Sequence, residues 1–135
     1  MLRLNEDHYK HLKTRRDFVY TYYYEIPTAK KPFILFLHGF PSTSHDWAPQ
    51  AGHFSDKGYG LIIPDLLGYG DTDKPTNPKE YRLAAMARDV MDILDYESIN
   101  NVLLVGHDWY VICTYFIDEA NLLTSTVALR YPLEL

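Results

Sequence analysis

Three short, almost unbroken apolar runs constrain this chain more than any other feature. They are "PFILFL" (32–37), "YGLIIP" (59–64) and "NVLLV" (101–105). Each has the form of a strand covered on both faces of a parallel sheet, where no polar face is needed. Between them lie two helical patterns. The first runs from about 43 to 57 and opens on Ser/Thr caps; the second runs from about 80 to 97. In the second, Leu83, Met86, Ala87, Val90, Ile93 and Leu94 recur at helical spacing. Strand, helix, strand, helix, strand implies right-handed crossovers and an α/β, mostly parallel, doubly wound sheet. The Tyr-rich stretch "DFVYTYYYEI" (17–26) reads as a further strand, closed by Pro27.

Composition narrows the function classes. The chain has 135 residues, the size of one ordinary domain, and is 47% hydrophobic, enough for a core. No internal repeat or low-complexity segment divides it. The formal net charge is −5, and no basic cluster exceeds Arg15-Arg16 or Lys30-Lys31, so nucleic acid is not an expected partner. Cys113 stands alone, which excludes an internal disulfide. The charged N-terminus lacks the apolar stretch of a signal peptide, and no apolar run approaches the roughly 20 residues of a membrane span. A cytoplasmic location is the resulting expectation.

In a doubly wound sheet, chemistry gathers beyond the carboxyl ends of the strands. Three loops follow the three apolar runs: "HGFPSTSHDW", "DLLGYGDTDKP" and "GHDWY". In the last, Gly106-His107-Asp108-Trp109-Tyr110 has the form of the nucleophile turn G-x-S-x-G, with a carboxylate in place of serine. Without the other motifs, Asp108 could be read as a helix N-cap. As a nucleophile it would attack carbon directly and form an ester that water must then hydrolyse, which suits opening an epoxide or displacing a halide. His38 and His107 read either as site residues or as histidines that bond backbone. Asp65, Gly68 and Gly70 read as loop architecture, Asp46 as helix surface and Trp47 as a packing aromatic. "GYGDTD" lacks the third glycine of a dinucleotide fingerprint, so no cofactor is expected, nor any metal.

The motifs "HGFP", "DLLGYGDTDKP" and "GHDW", in this order and spacing, resemble the α/β-hydrolases of the epoxide hydrolase type, a family that includes haloalkane dehalogenases. The resemblance covers about residues 10–109. It implies Asp108 as nucleophile, with the backbone amides of Phe40 and Trp109 forming the oxyanion hole. His38, Gly39, Pro41 and His107 flank that site, and a cis Phe40–Pro41 bond is implied. The implied substrate is a small apolar epoxide. Phe40 stands where the dehalogenases commonly carry an Asn that binds halide, which favours the epoxide over the halide.

The chain also departs from the family pattern. Tyr110 occupies a position that is usually small, and 110–125 is an atypical segment with helical potential. "TVALRYPLEL" again resembles the family, as the helix after the nucleophile turn. All six histidines precede Asp108, and the acids after it are Asp118, Glu119 and Glu134, none in a family motif. The expectation is one partial α/β-hydrolase domain over 1–135, with the cap and C-terminal half missing and turnover incomplete. The alternative is a non-catalytic remnant that binds a partner or small ligand. The last strand's open edge predicts self-association.

Overall fold

The computed structural model describes residues 3–28 and 30–107, and the backbone of Leu123–Leu129. Its strands are β1 (Tyr9–Lys13), β2 (Val19–Glu25), β3 (Phe33–Leu37), β4 (Gly60–Pro64), β5 (Val102–His107) and β6 (Leu123–Leu129). Its helices are α1 (Ala48–Asp56), between β3 and β4, and α2 (Leu83–Tyr96), between β4 and β5. All six strands form one sheet in the order β1-β2-β4-β3-β5-β6. The pairs β3–β4, β3–β5 and β5–β6 are parallel, while β1–β2 and β2–β4 are antiparallel. The expected mostly parallel, doubly wound sheet is therefore present.

Alternation along the central strands divides the core between the two helices. Leu35, Leu37 and Ile62 face one side, where they meet Met86, Val90, Ile93 and Leu94 of α2. Ile34, Phe36, Leu61 and Ile63 face the other, against Trp47, Ala48 and Ala51 around the start of α1. The period-2 strands and the period-3.6 helix thus bury the same apolar residues that defined them in sequence. Each fully buried Leu, Ile or Met contributes about 1.5–3 kcal/mol.

Several expectations require correction. Strand β1 was not anticipated, because "YKHLK" carries two lysines and has only a weak apolar alternation. The first helical pattern resolves into a 3-10 turn, Ser44–Trp47, followed by α1; Thr43 caps the turn by accepting from the His45 amide. Strand β5 continues through Gly106 to His107 rather than ending at Val105, because the ladder to β3 runs to Leu37↔Gly106. Thr126–Leu129, which resembled the start of a helix, belongs to β6, as do the last residues of the atypical segment. The run "LTSTVAL" is rich in β-branched residues, and the parallel ladder to β5 prevails over the local likeness.

Candidate active site

Strand pairing sets the described start of the third loop beside the start of the first. Leu37 of β3 pairs with Gly106 of β5, so His38 and His107 leave neighbouring strands at the same sheet edge. The second loop begins after Pro64 of β4, on the other side of β3.

Two attachments hold the first loop to the second. At its start, His38 is 1% exposed. Its Nε2 accepts from the Leu66 amide at 2.9 Å, and its Nδ1–H donates to the Gly39 carbonyl at 2.9 Å. An amide can only donate and a carbonyl can only accept, so these partners require the neutral Nδ1–H tautomer. Burial lowers the His38 pKa below the ordinary histidine value, opposed by the Gly39 carbonyl and by the charges of Asp65 and Asp46, and assisted by His107. At the loop's end, the buried Ser44 donates its amide to Asp65 Oδ1 at 2.8 Å. Its Oγ meets the Tyr9 hydroxyl at 2.7 Å. Burial raises the Tyr9 pKa to about 12.

Asp65 is the centre of this arrangement. Its Oδ2 accepts from the Asp71 amide at 3.2 Å, and its carbonyl accepts from Thr72 Oγ1 at 2.6 Å. Gly70 has φ of +53°, and a Cβ there would overlap the Asp65 carboxylate. Gly68, with φ of +89°, lies under the Tyr81 ring in the same way. The reading of Asp65, Gly68 and Gly70 as loop architecture holds, as does the backbone-bonding reading of His38.

Phe40 lies between the two attachments. The Phe40–Pro41 bond is cis. The Phe40 side chain is 66% exposed, edge-on to Tyr69 at a centroid distance of 6.3 Å, and Tyr69 is in turn edge-on to His38 at 5.3 Å. Tyr69 thus links the buried His38 ring to the exposed Phe40 ring. Asp108 and Trp109, the expected nucleophile and second amide, and Tyr110 lie outside the described residues. Trp47 packs against Phe36 at 4.9 Å, as a packing aromatic should, and Asp46 is exposed and accepts from Ser42 Oγ.

Tyr9, Ser44 and Leu66 complete the site's frame and were missed from sequence. Ser44 was legible only as a cap, and the contribution of Leu66 is its backbone amide. A second polar cluster lies away from these loops: the fully buried Asp89 of α2 pairs with Arg16 at 2.6 Å and accepts from the Tyr20 hydroxyl at 2.7 Å. Each of its partners anchors it to the β1–β2 hairpin, so its role is structural.

Comparisons with known proteins agree with this geometry. The family model described as alpha/beta hydrolase fold matches residues 32–110. Epoxide hydrolase 3 of Siraitia grosvenorii is 44% identical over 85 residues, covering 63% of this chain and 27% of that protein. Epoxide hydrolase 4 of Mus musculus is 39% identical over 104 residues, covering 76% of this chain and 29% of that protein. The crystal structure of an epoxide hydrolase from Vigna radiata superposes with a TM-score of 0.83 at 27% identity, covering 97% of this chain and 41% of its own. The chain therefore spans less than a third of the length of these two curated relatives. By the family model's match over residues 32–110 and the β3–β5 register that ends both strands side by side, the chain belongs to the α/β-hydrolase fold family and, within it, is epoxide hydrolase-like.

Proposed function

We propose that this chain carries the nucleophile and oxyanion-binding part of an epoxide hydrolase. A carboxylate oxygen of Asp108 attacks a ring carbon of a small apolar epoxide, the carbon–oxygen bond of the ring breaks, and the resulting alkoxide takes a proton from water, leaving hydroxide. The product of this step is a hydroxyalkyl ester of Asp108. Water then adds to the ester carbonyl, and the backbone amides of Phe40 and Trp109 donate to the oxyanion that forms. Such preorganised donors are worth about 3–4 kcal/mol each in a transition state. Collapse of that intermediate releases a diol and restores the carboxylate.

The observation that supports this reading is the register Leu37↔Gly106, by which β3 and β5 end side by side, so that the His38-Gly39-Phe40 turn and His107 leave the same end of the sheet. The exposed Phe40 ring and its neighbour Tyr69 offer an apolar wall for the substrate. The hydrolytic half needs a base to activate water, and none of the six histidines follows Asp108. A polypeptide of these 135 residues is therefore expected to stop at the ester.

Peptide mapping after exposure to styrene oxide tests the proposal. One adduct is expected, on the peptide containing Asp108, and Asp108→Asn abolishes it. Adduct formation at another side chain, unaffected by that substitution, would contradict it.

A further inference from the structure

We infer that His38 is a positioning residue for the Phe40 amide, setting the direction in which that amide donates. The inference rests on the reading of Phe40 as an oxyanion donor. The Gly39 carbonyl and the Phe40 N–H belong to the same peptide unit, which is planar and trans, so the two groups point in opposite directions. His38 Nδ1–H holds the Gly39 carbonyl at 2.9 Å and thereby fixes the Phe40 N–H in the opposite direction within that plane.

The ring itself cannot turn freely. Its Nε2 accepts from the Leu66 amide at 2.9 Å, so rotation about the Cβ–Cγ bond breaks two hydrogen bonds in a buried site. Tyr69 closes one side edge-on at 5.3 Å. The groups acting on the ring electrostatically are Asp65 of the second loop, Asp46 of the 3-10 turn and His107 at the end of β5. Protonation would place a second N–H against the Leu66 amide, which would lose its acceptor. The neutral Nδ1–H form is thus the one that orients the donor.

Two substitutions separate orientation from scaffolding. An asparagine amide can reproduce the Nδ1–H donor to Gly39 but reaches Leu66 poorly. A glutamine carbonyl can reproduce the Nε2 acceptor for Leu66 but leaves the Gly39 carbonyl unheld. Each variant loses one bond of the two. In release of the preformed Asp108 ester of styrene oxide by added imidazole, followed by intact mass, His38→Asn is expected to stay within about threefold of the unsubstituted chain. His38→Gln is expected to fall by about tenfold or more, part of the roughly 100-fold that an oxyanion donor contributes, since the amide is misdirected rather than removed. An equal loss in both variants, each folded by circular dichroism, would overturn the role and leave His38 as scaffold. No adduct even on the unsubstituted chain would instead overturn the epoxide reading, and this role with it. Should either variant fail to fold, the ring-nitrogen NMR spectrum of the unsubstituted chain at neutral pH decides. A bare Nε2 and protonated Nδ1 are expected at His38; the opposite tautomer or a charged ring overturns the inference.

Discussion

Asp65 divides its two carboxylate oxygens between two loops, one serving the Ser44 amide and the other the Asp71 amide. Asp65→Ala would orphan both donors, and an unsatisfied buried amide costs about 1–3 kcal/mol. A urea midpoint lowered accordingly is expected, with a smaller change for Ser44→Ala, which deletes only the hydroxyl bonded to Tyr9. An unchanged midpoint in Asp65→Ala would remove Asp65 from the centre of the site. His38 gives a signed pH dependence. Its folded pKa lies below the ordinary value of about 6.5, so the unfolded chain takes up the proton first as pH falls. The contribution of His38 to stability is therefore complete above that value and is lost on acidification through the lowered one. Urea midpoints measured across this range should fall in the unsubstituted chain and lose that component in His38→Gln. Phe40 and the cis bond at Pro41 were legible from the "HGFP" motif. The partners of His38 were not, because one of them is a backbone amide 28 positions away, and backbone amides leave no mark in sequence.

Strand β2 shows how far an element's pattern can be read. "YTYYYE" gave the strand, but its burial comes from packing against α2 and β1, elements with no local signal in the tyrosines themselves. Burial raises the pKa of Tyr20, Tyr22 and Tyr23, with further contributions from Asp89, Glu97 and Glu25 respectively. Raised folded values mean stability that is present below about pH 10 and lost as pH climbs past it. Spectrophotometric titration should show Tyr20, Tyr22 and Tyr23 ionising only together with unfolding. Ordinary titration of all twelve tyrosines in a chain that remains folded would contradict the packing of β2. Asp89 binds α2 to the β1–β2 hairpin through Arg16. Removing one partner of a buried ion pair costs about 3–5 kcal/mol, so Asp89→Ala should lower stability by that order in thermal melts. Strand β1 and strand β6 were the elements misread. The first is a short polar edge whose place is set by the register Tyr9↔Tyr23, and the second is set by its ladder to β5.

At the scale of the molecule, the two outer strands of the described sheet differ in kind. β1 carries Lys10 and Lys13, charges that discourage pairing with another chain, whereas "LTSTVAL" of β6 carries none. Self-association is therefore expected of the isolated polypeptide in sedimentation velocity, and a concentration-independent monomer would contradict it. The fold class was legible because the apolar runs and the α2 periodicity each fix one layer of the same core. The chemistry was legible only as three motifs, since which strand ends lie side by side depends on strand order. The central claim is that Asp108 works as a nucleophile whose ester these residues alone do not release. A time course of intact mass and free diol with styrene oxide tests it most directly. The account predicts a rise to one adduct per chain with no accumulation of diol; diol formed in many equivalents per chain, or no adduct at all, would contradict it.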